Sequence, residues 1–323
     1  MKRNIIFCLK LSLGLGVIFW LWRSGNLNPK LIASSIKQPL WFFSILFSLI
    51  SIALGVWRWQ ILLKGVSVYV PWFKMLRLMF LGNLTTLVTP GVVAGDLLRG
   101  ALIVKSSPNA RYAAGLSVAV DRYIGLSSLF VISAVAYILR PAELVHDPLI
   151  TSLGSIVISG ALGLPVLLFI GLSQRLGKIL EKYLPWFFGR GFGKSLLDGL
   201  HQYRKKRTTI LRCYLLSLVL QFFANLMALP LILAMGKSVP ITILFFFVTL
   251  GIFVLTMPVM PLGLGVGQVA FVALFQHGGF PGSIGAELCT LIQLTIFTCY
   301  LVGGLLSLWW PQQSRVEFNQ GVV

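Results

Sequence analysis

The sequence predicts an all-α, polytopic integral membrane protein with about 7–8 transmembrane helices and one or two broken or re-entrant segments. Three observations predict it. First, of 323 residues 57% are hydrophobic and only 11% charged, against about 25% charged in an ordinary soluble domain. So few charges cannot cover a water-soluble protein of this size, and the surplus apolar side chains must face lipid. Second, stretches of roughly 20 apolar residues recur, each long enough to cross a hydrocarbon core of about 30 Å as a helix. Third, the net charge of +19 comes from 27 Lys and Arg against 8 Asp and Glu. The basic residues sit in short loops beside apolar runs, the pattern that orients membrane proteins and meets anionic headgroups. That placement argues against nucleic acid as the partner.

The apolar runs fall at 5–22, 40–57, 112–139, 149–173, 210–235, 240–257 and 287–310. The first follows Lys2 and Arg3 and resembles a secretory signal. It lacks an A-x-A-like cleavage site, and Trp20-Leu21-Trp22-Arg23 has the makeup of an interfacial anchor, so it reads as a retained first helix. The segment 174–209 is rich in Arg and Lys, with Glu181 and Asp198 the opposing acids, and reads as the main cytoplasmic loop. Within it Leu176, Ile179, Leu180 and Tyr183 approach helical spacing, so an interfacial helix and a solvated basic connector both fit. The loop 140–148 carries Glu143 and Asp147 and belongs outside. Arg58, Lys64, Lys74 and Arg77, then Arg99, Lys105 and Arg111, count as cytoplasmic, which places the N-terminus in the cytoplasm. The whole of 1–323 reads as one transmembrane domain.

Two apolar stretches, 78–98 and 258–281, are broken by Pro and Gly. The first contains Pro90, Gly91 and Gly95, the second Pro258, Pro261, Gly263, Gly265 and Gly267, and both stretches are introduced by Leu-Gly. Pro removes a helical hydrogen bond and Gly admits conformations other residues avoid. Unwound backbone at membrane depth survives only when buried in protein or facing a wet cavity. Paired broken segments in two halves of a membrane protein point toward a substrate site. The expectation is a pair of re-entrant hairpins; surface turns between ordinary helices are the alternative.

Charged residues inside apolar runs are the candidate site. Asp96 and Arg99 stand at i, i+3 just past the first break, and Asp121 and Arg122 lie roughly 15 Å into the span 112–139. A lone charge near the bilayer centre costs about 2.5–3.5 kcal/mol on insertion scales. Neighbouring helical residues point about 100° apart, so cross-helix pairs Asp96–Arg122 and Asp121–Arg99 are expected. Such a group fits a polar cavity for a lipid headgroup, its phosphate held by guanidinium forks, or an interhelical clamp without ligand. Gln268 follows the second Gly cluster and could bond a headgroup or cap a broken helix end.

No G-x-S-x-G, H-E-x-x-H or G-x-x-x-x-G-K-[ST] occurs. Cys8, Cys213, Cys289 and Cys299 lie in apolar runs without C-x-x-C pairing, and His146, His201 and His277 lack ligand spacing. Neither a catalytic set, a metal site nor a cofactor is expected.

Three motifs carry a resemblance. They are Gly95-Asp96-Leu97-Leu98-Arg99, then Asp121-Arg122-Tyr123-Ile124-Gly125-Leu126, then Pro261-Leu262-Gly263-Leu264-Gly265-Val266-Gly267-Gln268. In this order the chain resembles the membrane region of lysylphosphatidylglycerol synthases and the related UPF0104, flippase-like membrane proteins. The first two motifs fit that family's pattern. In the third, Leu262 stands where a Gly is usual and Gln268 where an acid is usual, which speaks against an acid-dependent role at that position.

The resemblance implies a multi-pass protein of the cytoplasmic (inner, plasma) membrane that transports or binds a phospholipid or polyprenyl-linked lipid. Asp96, Arg99, Asp121, Arg122 and Gln268 would line the headgroup cavity. The chain ends at Val323 without the soluble synthase domain of the bifunctional members, so aminoacyl transfer by it alone is not expected. The partners expected are anionic or phosphate-bearing membrane lipids, with a lipid-modifying enzyme as a further possibility. A non-catalytic scaffold for such an enzyme and, behind it, an intramembrane lipid transferase are the rival readings.

Overall fold

A computed structural model describes residues 12, 16–87, 89, 93–106, 111–141, 147–171, 182, 203–204, 206–257, 262–309 and 317–318. Most of the run 5–22, nearly all of the basic loop 174–209, Pro90, Gly91, Pro258 and Pro261 lie outside the described residues, while 16–23 are helical.

Helices dominate. In chain order they are α1 (Pro29–Ile36), α2 (Leu40–Gly65), α3 (Trp72–Thr86), α4 (Val93–Ser106), α5 (Arg111–Ile138) and α6 (Pro148–Gly171). They continue as α7 (Arg207–Leu226), α8 (Ala228–Ala234), α9 (Ile241–Thr256), α10 (Val266–His277) and α11 (Gly282–Trp309). Five stretches are long and apolar enough to cross a membrane: Leu40–Gly65, Tyr112–Ile138, Pro148–Leu168, Arg207–Ala234 and Gly282–Trp309. The protein is an all-α, multi-pass membrane protein.

Two features depart from the expected spans. The run 40–57 continues to Gly65 as one helix, because no breaker interrupts it, and this draws Arg58 into the interior at 7% exposure. Arg58 is therefore not a loop charge. The run 210–235 divides at Met227 into α7 and α8. Pro230, in the first turn of α8, has no N–H to continue the preceding helix.

Contacts between helix ends sort the molecule into two faces. On the first, β1 (Val68–Tyr69), in the α2–α3 turn, pairs antiparallel with β2 (Glu317–Phe318), which follows α11. Tyr203, just before α7, donates to the Leu62 carbonyl near the end of α2 at 3.0 Å. On the opposite face, Gln38 donates to the Ala234 carbonyl at 2.8 Å, tying the start of α2 to the end of α8. There too His277 ends α10 and pairs with Asp147 before α6 at 2.9 Å, and Asn28 N–H donates to Glu287 at the start of α11 at 3.3 Å.

The broken segments are hairpins that enter from opposite faces. The first, α3–α4, opens on the first face. Its limbs meet backbone to backbone at Gly82 and Gly95, where a Cβ on Gly82 would stand 2.8 Å from the Gly95 carbonyl oxygen. The second, α9–α10, opens on the other face. The stretch 240–257 is thus its descending limb, and at 16 residues α9 spans about 24 Å, less than a full hydrocarbon core. Two long helices pass both hairpins. Helix α5 pairs its Asp121 and Arg122 with α4, then Phe130 and Tyr137 with Phe253 and Phe246 of α9. Helix α11 packs Gly285 against Phe275 of α10, then Gly304 against Leu84 of α3. The inner ends of the described limbs, at Thr86 in the first and at Leu255 and Leu262 in the second, therefore come together beside Gln293 and Tyr300 of α11.

Candidate functional site

The charges inside the protein form one chain of ion pairs. Asp121 of α5, 1% exposed, accepts from Arg58 Nε of α2 at 2.7 Å and from Arg99 Nη2 of α4 at 2.9 Å. Arg99 Nε lies 3.0 Å from Asp96 Oδ1 one turn away, and Arg122 Nη2 closes on the same Asp96 oxygen. Both expected cross-helix pairs, Asp96–Arg122 and Asp121–Arg99, are present. Sequence reasoning missed Arg58, which provides the shortest bond to Asp121.

Surrounding side chains fix each guanidinium. Arg58 Nη1 donates to Ser217 Oγ of α7 at 2.6 Å, and Ser217 lies 2.6 Å from Ser128 Oγ of α5. The Arg99 guanidinium stacks 4.7 Å over the Trp59 ring, and Trp59 Nε1 donates to Ser117 Oγ at 3.1 Å. Gly125 explains part of its motif: a Cβ there would stand 3.3 Å from Arg58 Nη1. The glycine makes room for an arginine 67 positions earlier. No local pattern names Ser217, Ser128 or Trp59 as partners. The available signal for Arg58 was an arginine inside Val56-Trp57-Arg58-Trp59 with no helix breaker before Gly65.

Among the described residues this group holds three guanidiniums and two carboxylates, which leaves one positive charge uncompensated. The excess sits at one edge. Asp121 and Arg99 are buried, Asp96 is 15% exposed and Arg122 46% exposed. Removing one partner from a buried pair usually costs about 3–5 kcal/mol, yet a whole buried pair is often no more stabilising than well-packed apolar residues. Stability alone does not account for five charges at membrane depth.

The second hairpin is held by neutral groups. Gln268, fully buried, accepts from Gly265 N–H at 2.8 Å and donates to Gln293 Oε1 at 2.6 Å and Thr290 Oγ1 at 3.3 Å. Gln293 Nε2 in turn donates to the Leu262 carbonyl at 3.0 Å. Gln268 thus caps the start of α10, satisfying a donor that the break would orphan. Gly263 and Gly265 adopt φ of 67° and 79° and are true break positions. Leu262 has φ 51°, left-handed backbone that a side chain resists by about 1–2 kcal/mol. Gly95 and Gly267, expected as breaks, lie inside α4 and α10. Their smallness serves close packing: a Cβ on Gly267 would stand 3.0 Å from Cys289 Sγ.

Between the inner ends of the two hairpins' described limbs is a cavity of about 170 Å³. Its walls come from α2 (Ser51, Ile52), α3 (Thr86), α7 (Ala224), α9 (Leu255) and α11 (Tyr300), among others. Tyr300 lies within electrostatic range of Asp96, Arg99 and Arg122, so the cavity and the ion chain are neighbours.

Opposed hairpins around a charged interior define a multi-pass membrane protein with ion pairs in its core. The chain belongs to the lysylphosphatidylglycerol synthase transmembrane-region family, whose model matches residues 7–304. It is similar to the UPF0104 membrane protein PH1989 of Pyrococcus horikoshii, 23% identical over 332 residues that cover 95% of this chain and 97% of the relative. No solved structure matches the chain.

Proposed function

We propose that the protein handles a phosphate-bearing lipid in the cytoplasmic membrane, as a flippase-like transporter or lipid-binding protein, with its basic first face and N-terminus in the cytoplasm. The observation that carries this reading is the net positive charge of the ion chain, with Arg122 at its exposed edge sharing Asp96 with Arg99. A phosphate is the anion that a planar fork of donors fits, and a lipid is the phosphate source available at that depth. Intramembrane charge is expensive and marks substrate paths in membrane proteins. Hairpins that open on opposite faces and bring the inner ends of their limbs to one cavity suit a site reached from either side. The family's description names the membrane part of a phospholipid-modifying enzyme, which agrees with a lipid ligand. In this reading the protein binds or moves lipid and performs no group transfer itself, and Arg122 and Asp96 meet the headgroup while Arg58, Arg99 and Asp121 hold them in place.

Transbilayer movement of fluorescent phospholipids, measured in proteoliposomes, tests this. Arg122→Gln is expected to slow movement about tenfold or more, the loss of one charge-assisted contact of about 1.5–3 kcal/mol, and Asp96→Asn to change the rate by releasing Arg99 and Arg122 from their shared carboxylate, while folding is retained. Wild-type rates in both folded variants would remove the headgroup site.

A further inference from the structure

The cavity between the inner ends of the hairpins differs in chemistry from the ion chain beside it. Its lining hydroxyls and amide, Ser48 and Tyr300 apart, are occupied within the protein. Ser51 donates to the Ser48 carbonyl at 2.7 Å, Thr86 to Asn83 at 2.7 Å, Thr256 to Phe253 at 2.7 Å, and Gln293 to Leu262 at 3.0 Å. What these groups show to the space is mostly carbon, joined by Ile52, Leu255, Ile296, Ala224 and Met227. One polar handle lies toward the ion chain. Among the described residues the Tyr300 hydroxyl has no hydrogen-bond partner, and it belongs to the side of the cavity that neighbours Asp96, Arg99 and Arg122. Packing agrees with that placement: Gly304, one turn further along α11, lies against Leu84, and a Cβ on Gly95, next to Asp96, would stand 2.7 Å from Thr86 Cγ2.

A space that is polar at one end and carbon-lined elsewhere, opening beside a surplus positive charge, matches a molecule built the same way. Resting on the lipid-handling reading above, we infer that this cavity holds the part of a lipid's hydrocarbon chain nearest its phosphate, with Tyr300 at the junction of chain and headgroup. A free phosphate or a soluble anion would have no use for the carbon-lined end. The volume of about 170 Å³ is of the size that, when lined by apolar side chains, stays dry and accepts small hydrocarbons. The cavity therefore takes a short length of one chain, and the remainder stays in the bilayer. Both an acylated glycerophosphate and a prenyl phosphate carry this chemistry.

Photo-crosslinking to the full chain in phosphatidylcholine vesicles separates these possibilities. Three probes are used: phosphatidylglycerol with a diazirine on the headgroup, phosphatidylglycerol with a diazirine near the ester end of one chain, and a prenyl phosphate with a photoreactive group near its phosphate. Adducts are mapped by mass spectrometry. At least one chain-labelled probe is expected to mark Ile52, Leu255 or Ile296, and the arm that does so identifies the chain type. Ala224→Leu, which fills the cavity, should reduce those adducts at least fivefold without lowering the melting temperature. Ser51→Val provides the same test should Ala224→Leu not fold. Chain adducts confined to outward residues such as Phe42, Leu46 and Leu306, or undiminished in a folded filling variant, overturn the inference. Headgroup adducts at Asp96–Arg99 and Arg122 report separately on the lipid-handling reading: their presence with chain adducts outside the cavity overturns the chain site alone.

Discussion

The two hairpins do the same architectural job by different means. Each brings a broken helix into the interior, and each packs one limb on α5 and the other on α11. The first is wired by charge: Asp96 and Arg99 of α4 join Asp121 and Arg122 of α5 and Arg58 of α2. The second is held by amides and hydroxyls, with Gln268, Gln293 and Thr290 around Gly265 and Leu262. Satisfying a broken backbone needs only neutral donors and acceptors, as the second hairpin demonstrates. The charges of the first exceed what closure requires, and that excess is the ground for proposing a ligand site there and a structural joint at the second.

The largest effect expected from breaking this contrast is at Asp121. Asp121→Asn keeps the shape but leaves Arg58 and Arg99 buried without their shared anion. Loss of one partner of a buried pair costs about 3–5 kcal/mol, and here two cations lose it together. Equilibrium unfolding in mixed micelles should show a loss of at least that order. A change below about 1 kcal/mol would mean that water solvates the arginines in the carboxylate's stead.

Gln268→Ala tests the other hairpin. It removes the acceptor for Gly265 N–H and the donor to Gln293, leaving buried polar groups unpaired at a cost of about 1–3 kcal/mol. The same unfolding assay should rank it below Asp121→Asn. Equal losses at the two positions would erase the distinction between a charged and a neutral hairpin.

How much of this was legible in the sequence depends on the range of the interaction. The long spans were readable because hydropathy is a property of a local window, and the hairpins because Pro and Gly mark breaks where they stand. Asp96, Arg99, Asp121 and Arg122 were readable as charges in apolar surroundings, and their pairing followed from helical geometry. Arg58 was not, because a basic residue at the end of an apolar run reads as a loop charge, and its partners Asp121 and Ser217 are 63 and 159 residues away. The role of Gly125 was hidden for the same reason: its smallness serves Arg58, not its own helix. The sequence also left Gln268 divided between headgroup and cap; its bond from Gly265 N–H gives it the cap's position. Nor could the sequence tell that 240–257 is a hairpin limb, since over 16 residues a limb and part of a full span have the same hydropathy.

Gly125→Ala is a smaller perturbation aimed at that hidden contact. The new methyl would stand 3.3 Å from Arg58 Nη1 and press the guanidinium out of its present fit against Ser217 and Asp121. Overpacking of this kind costs about 1–3 kcal/mol, and the lower end is expected because an arginine can shift. Suppression by Arg58→Lys, which is shorter at its head, would identify the clash as the cause; additive losses would place the damage elsewhere.

The smallest effect belongs to a tie at the far end of the second hairpin, where charge does appear. His277 ends α10 and pairs with Asp147 at 2.9 Å. Asp147 also accepts from Ile150 N–H at 2.9 Å, capping α6 beyond the membrane span. That backbone bond first, and His277 second, hold the Asp147 carboxyl below the usual carboxylate range. A depressed folded-state value means that the contribution is complete above the ordinary carboxylate value near about pH 4 and fades as pH falls through the lower, folded one. Between about pH 5 and pH 3 the wild type should therefore lose stability that Asp147→Asn has already lost, and the two unfolding curves should converge. The exposed position keeps the difference small, as for other surface pairs. Parallel curves across that interval would show that the second hairpin has no acid-sensitive tie at its outer end, and would leave its hold on α6 to packing alone.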